Sequence, residues 1–170
     1  MKNLTKTTII LSSLVAVLII SLGYVLYLNQ WHQKQYFLDN TQSSLVELQG
    51  IIAFQEDENW ENPQLISNKL QIIIDDLWYG TTSYTFPSKV LNKEELTMLV
   101  TIANTLQQLP NNDVYAIAEW SKEDIEKAKI VNNALIKADL KMETTILVDW
   151  ETFIKQCAIF KEELSMIHSL

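Results

Sequence analysis

Two carboxylate doublets, Asp75-Asp76 and Glu94-Glu95, are the nearest this 170-residue chain comes to the side chains of general acid–base catalysis. Adjacent residues on a helix diverge by about 100°, so neither doublet can converge on one bond of a substrate. Glu94-Glu95 reads more simply as negative charge in a first helical turn, and Asp75-Asp76 as part of a solvated face. A pair assembled from different helices, as in glycoside hydrolysis, is the enzyme reading that survives. Metal chemistry in a helical protein needs Glu-x-x-His or similar spacing, and none occurs; the two histidines, His32 and His168, lie far apart in the chain. Cys157 is the single cysteine. It cannot form an intramolecular disulfide, it is too far from the N-terminus to be a lipidated first residue, and its heptad position marks it as a small core residue, not a nucleophile. Gly-rich phosphate loops, Gly-x-Ser-x-Gly elbows and Cys-x-x-Cys pairs are absent. The expectation is a protein that is not an enzyme and carries no cofactor and no metal.

Recognition chemistry is better represented. Trp78, Tyr79, Tyr84 and Phe86 cluster around Gly80 and Pro87, and aromatic rings on a loop held by rigid helices bring large contact area at low entropic cost. Trp60 extends this candidate protein-binding set, and Trp120 is a further ring that could join it. The plainer expectation is that the rings cover the open end of a bundle.

The elements that must position these residues begin with residues 7–28, an uncharged apolar run holding 13 Leu, Ile and Val residues, with Lys2 and Lys6 before it and no other basic residue until Lys34. As a helix it is about 33 Å long, enough to cross a hydrocarbon core of about 30 Å. Those 13 side chains favour insertion by about 4 to 8 kcal/mol. Tyr24, Tyr27, Trp31 and Tyr36 follow where amphipathic rings suit an interface, or equally the core of a stalk. The expected organisation is a cytoplasmic N-terminus at 1–6, a transmembrane signal-anchor helix at 7–28 and an extracytoplasmic domain at 29–170. The rival is a secreted or periplasmic chain cleaved near Gly23, after Ser21-Leu22-Gly23. Hydrophobicity continuing through residues 24–28 argues for the uncleaved anchor.

Beyond residue 28 stand 11 lysines against all 21 acids, a net charge of −10, which would repel phosphate backbones and anionic lipid surfaces and disfavours nucleic acid as a partner. The chain has no arginine and is rich in Lys, Asn, Gln and Ile, a composition that suggests a bacterial origin.

Three glycines and three prolines in 170 residues leave long uninterrupted apolar patterns, so the fold class is all-α. Trp31, Leu38, Leu45 and Ile52 recur every seven residues with Leu48 beside them, continuing the membrane helix as a stalk to about Glu58. Asn62-Pro63 starts a second helix with a stripe of Ile66, Leu70, Ile73 and Leu77, and Gly80 is placed to terminate it. Residues 81–91 form a loop. Asn92 with Glu95 is a capping box for a third helix carrying Leu96, Leu99, Ala103 and Leu106. After Pro110 a short apolar turn at 114–120 leads to Ser121 and Asp124, which cap a helix with Ile125, Ala128, Val131, Leu135 and Ala138. The last helix is expected to start between Lys141 and Thr144, with Ile146, Phe153, Phe160 and Ile167 at one core position and Trp150, Cys157 and Leu164 at the other. Short connections make the whole an antiparallel bundle of four main helices plus a short one, hung from the transmembrane helix.

The leading functional expectation is a single-pass bacterial cytoplasmic-membrane protein whose external bundle binds an envelope protein partner, as an accessory, scaffold, inhibitor or immunity factor. A ligand-sensing bundle of a signalling system is the alternative, weakened because residues 142–170 carry Lys155, Lys161, Glu162 and Glu163 and cannot re-cross a membrane. A cell-envelope enzyme comes third.

Overall fold

The computed structural model describes residues 2–82, 91–111, 119–143 and 148–169, with side chains from residue 8 to residue 167 within those ranges. The stretch between Gly23 and Gly50 holds no helix breaker, and the chain accordingly forms one continuous rod: α1 (Lys2–Tyr36), a π-helical turn (Phe37–Gln42) and α2 (Ser43–Asp57). The remaining helices are α3 (Gln64–Thr82), α4 (Lys93–Leu106), α5 (Lys122–Lys137) and α6 (Trp150–Leu164), closed by a 3-10 turn (Ser165–Ser169). The described residues contain no strand, and the all-α bundle expected from the sequence is what the chain forms.

Local chemistry sets each boundary. The rod stops where expected, at Asp57, because Asn59 and Trp60 take left-handed backbone angles, φ 53° and 63°, and the Trp60 amide donates to the Gln55 carbonyl at 2.7 Å. Left-handed geometry is unusual for so bulky a residue, and the Trp60 ring, half-buried against the core, holds it there. Both expected capping boxes form. Asn92 Oδ1 accepts from the amides of Glu94 and Glu95 while Glu95 reaches back to the Asn92 amide, and Ser121 and Asp124 do the same for α5. Helix α5 ends in a left-handed Asp139, φ 56°, with the Leu140 amide donating to the Leu135 carbonyl at 2.8 Å.

Two boundaries differ from expectation. Gly80 does not terminate α3, which runs on to Thr82, and none of the glycines has positive φ. Its missing side chain serves a packing purpose instead: a Cβ there would lie 2.4 Å from Phe37 Cζ. Helix α6 starts at Trp150, not between Lys141 and Thr144, because Asp149 is the effective cap, accepting from both the amide and the hydroxyl of Thr152. Residues 144–147, and with them Ile146, lie outside the described residues. So do 83–90 of the expected loop and 114–118 of the short apolar turn.

Helices α2, α3, α4, α6 and α5 pack in that order around a closed ring. Tyr36 meets Asp76 and Glu47 meets Lys69, so α2 and α3 run antiparallel. Gln49 meets Asn132 while Gln42 meets Gln156, which itself meets the Asp139 carbonyl, so α5 returns towards the α1 end and α6 leaves it. Alternating directions cannot close around an odd number of helices. The one parallel pair is α4 with α6, whose first turns are joined by a hydrogen bond from Trp150 Nε1 to Glu95.

The expected stripes supply the core. Leu45, Leu48, Ile52, Ile66, Leu70, Ile73, Leu77, Leu99, Ala103, Leu106, Phe153, Cys157, Phe160 and Leu164 are all buried. Trp31 departs from its heptad and stands 50% exposed, since burial against the bundle begins only at Phe37 and Leu38.

The contact between Phe37 and Gly80 yields a test. Gly80→Ala should destabilise the full-length chain in detergent by about 1–2 kcal/mol despite the better helix propensity of alanine, since overpacking outweighs that gain. Combining it with Phe37→Leu should cost clearly less than the sum of the two single changes, read by thermal unfolding. Additive losses would show that the ring does not sit where the missing Cβ leaves room.

Candidate functional site

The end of the bundle from which α1 emerges gathers a cluster of the described aromatic side chains. Phe37 is 1% exposed, seated on Gly80, and its ring centroid lies 5.9 Å from that of Trp150, which in turn lies 5.8 Å from Phe153. Lys34 Nζ sits 5.7 Å from the Trp150 ring centroid, within cation–π range. On the other side of Phe37, the Tyr36 ring meets Tyr79 at 5.5 Å and 50°, and its hydroxyl donates to Asp76 at 3.0 Å. Between α1 and the end of α3 runs a groove of about 150 Å³ lined by Asn29, His32, Gln33, Tyr36, Phe37, Tyr79 and Gly80.

The π turn shapes this end. Among the described residues Thr81, Thr97, Thr101 and Thr105 each donate to the carbonyl four residues back, the usual helical habit. Thr41, inside the π turn, is fully buried and its hydroxyl finds no partner among the described residues. An unsatisfied buried hydroxyl costs about 1–3 kcal/mol, so the π turn is held in place by the packing around it.

Of the candidate binding residues, Tyr79 is 61% exposed, whereas Trp78 is half-buried against the core. Tyr84 and Phe86 lie outside the described residues. Trp60 sits at the opposite end of α3, a helix of 19 residues and about 28 Å in length, so it shares no surface with Tyr79. Trp120 also packs on the core, its Nε1 donating to Ser67 at 3.0 Å.

Three of the four doublet carboxylates, Asp75, Asp76 and Glu95, hold hydrogen bonds within the fold. Asp75 accepts from Gln71 one turn back, Asp76 from Tyr36, and Glu95 from its own capping box and Trp150. Their sequence reading missed the two cross-helix bonds, since nothing in a single sequence pairs residue 36 with 76 or 95 with 150. Burial pushes the Cys157 thiol far above its ordinary range, which removes thiolate chemistry at neutral pH. Among the described residues no three His, Cys, Asp or Glu side chains gather as a metal site would require. His32 stands edge-on to Trp31 at 5.1 Å and lines the groove.

No protein-family model, curated protein or solved structure matches this chain.

Burial, and then the bond to Asp76, push the Tyr36 phenol from 10.0 up to about 12. The folded state therefore favours the neutral phenol, and its stabilisation is complete below pH 10 and lost as pH rises towards 12. Tyr36→Phe should lower the melting temperature at neutral pH, by an amount equivalent to about 1 kcal/mol for the lost hydrogen bond. It should also flatten the decline between pH 10 and pH 12 relative to the parent chain. Parallel declines would show that Tyr36 is not coupled to folding.

Proposed function

We propose that this chain is a membrane-tethered helical bundle that works by non-covalent binding of another envelope protein. The chain has an exposed apolar N-terminal helix of the kind that serves as a membrane anchor or a signal sequence. Its most apolar stretch has a mean hydropathy of 2.6 and makes no buried contact with the bundle. In this proposal residues 7–28 stay attached and span a bacterial cytoplasmic membrane, with the N-terminus inside, following Lys2 and Lys6. Residues 29–170 then form the extracytoplasmic domain.

The observation that carries the binding reading is Tyr79. A tyrosine ring left 61% exposed, on a helix whose opposite face is buried in the core through Ile73, Ile74 and Leu77, offers contact area with little freedom to lose. The contact surface in this reading is Tyr79 with the segment that follows it, including Tyr84 and Phe86. Trp78 serves the fold, and Trp60 falls out by position. The groove of about 150 Å³ is itself smaller than pockets for whole small molecules, which hold about 300–1,000 Å³. The capped and paired carboxylates disfavour an enzyme.

Two measurements test the proposal. Protease added to cells with an exposed inner membrane should digest the bundle while residues 7–28 remain in the membrane; a mature chain starting at Tyr24 would overturn the tether. In a pull-down from solubilised membranes, Tyr79→Ala combined with Tyr84→Ala and Phe86→Ala should weaken partner recovery at least tenfold. Stability should change by no more than about 0.5 kcal/mol for Tyr79→Ala alone, whose ring is exposed. Undiminished recovery would exclude this surface.

A further inference from the structure

Helix α3 carries a second apolar line on the side away from its buried stripe. Leu65, Ile72 and Tyr79 stand 46%, 49% and 61% exposed and recur every seven residues. Seven residues of helix advance about 10.5 Å, so the line is about 21 Å long. The Glu47–Lys69 ion pair sets the register of α2 beside it. Phe54, 53% exposed, lies two turns past Glu47, and Leu65 lies one turn before Lys69, so both stand between that pair and the turn joining α2 to α3. On α4, α5 and α6 the exposed large apolar side chains are single ones, Leu96, Ile136 and Ile159. We propose that the outer face of the α2–α3 hairpin receives a basic amphipathic helix of the envelope partner, an inference that deepens the binding reading given above and rests on it.

The repeat selects a helix. Side chains on one face of a strand recur about every 6.7 Å, out of step with this line, whereas a helix with apolar residues seven apart meets it at every repeat. Charge selects the sign. Residues 43–82 carry one lysine, Lys69, against seven acids, a net charge of −6, and Glu47 already engages that lysine. Helices α4, α5 and α6 carry only −1, +1 and −1, so the hairpin holds the acidic excess of the described bundle helices. Its exposed carboxylates flank the apolar line: Asp75 lies one turn past Ile72, and Glu58 and Glu61 lie in the turn beyond Phe54. Lysines or arginines bordering the apolar seam of an incoming helix would meet them.

A second copy of the chain fits this face poorly. Two chains held in one membrane by residues 7–28 meet on α3 in the same direction, which sets Asp75 and Asp76 against their own counterparts. The opposite direction would bring Asp75 to Lys69, but it sends the two α1 helices to opposite ends of the pair.

The test uses the full-length chain in phosphatidylcholine nanodiscs, with binding of synthetic 21-residue stapled helices read by surface plasmon resonance against empty discs. One helix carries leucine at the first and fourth positions of each heptad with lysine beside them. A second has the same composition with the leucines spread around the helix, and a third has glutamate in place of lysine. The first should bind at least tenfold more tightly than either of the others. Leu65→Ala with Ile72→Ala should lower its affinity about tenfold at unchanged helix content. Glu61→Lys with Asp75→Lys, both exposed, should reverse the preference between the lysine and glutamate helices, and this pair decides the matter if the alanine pair loses helix content. Equal affinity for the three helices, or an unchanged preference in the charge-reversed chain, would overturn the inference. So would a dimer of the parent chain in detergent that the alanine pair abolishes, by giving the face to a second copy. No preference among the helices, with partner recovery still lost in the Tyr79 triple variant, would sink this inference alone. No preference with recovery undiminished would sink it together with the binding surface proposed above.

Discussion

The seating of one phenyl ring on one glycine organises the whole molecule. Phe37 occupies space that any side chain at position 80 would claim, and from there it touches the end of α3 on one side and Trp150 at the start of α6 on the other. It thereby fixes the rod to two helices far from it in sequence. The bonds around it depend on that placement: Tyr36 reaches Asp76 because Phe37 draws the rod against α3, and Trp150 reaches Glu95 while packed on the same ring. The groove is what remains open between two helices held at this separation.

A ring of five helices is an awkward shape to specify, since hydrophobic stripes alone do not decide which helix neighbours which. Polar pairs inside the bundle make the choice. Gln42 bonds Gln156, which bonds the Asp139 carbonyl, and Gln49 bonds Asn132, which also reaches Glu56. The same Gln49 accepts from the Met142 amide. Each contact is modest in net stability, about 1 kcal/mol, but a wrong register would strand several buried amides at once. The apolar stripes drive collapse, and the amides select one arrangement of it.

Much of this was legible in the sequence, for reasons tied to range. Capping boxes at Asn92 and Ser121, the stop near Glu58 and the stripes of α3 and α5 depend on residues within one or two turns, and they stood as read. Gly80 was misread because its local meaning, a helix stop, lost to a contact with residue 37, which no short-range signal announces. The start of α6 was misplaced because apolar spacing runs back past Asp149, whereas the cap obeys hydrogen bonding. At the candidate site the aromatic cluster was visible as composition. Its division into a structural Trp78, an exposed Tyr79 and a distant Trp60 required the fold, and the groove was illegible because its walls come from residues 29–37 and 79–80.

The π turn has a consequence for how motion passes along the rod. At its far end α1 is almost wholly apolar and exposed over residues 8–25, with no packing partner among the described residues to set its azimuth; beyond the π turn lies a helix whose azimuth is dictated by five-helix packing. Torque applied at either end therefore meets unequal resistance. In the proposed membrane-spanning arrangement the apolar end acts as a bearing, while the bundle end is keyed by Phe37. An additional residue accommodated as a wide turn is a change of phase at the key, and it leaves the bearing indifferent. Insertions or deletions within the exposed residues 8–25 would re-aim the apolar end without disturbing the bundle, whereas the same change within residues 37–42 would rotate the bundle's own core out of place.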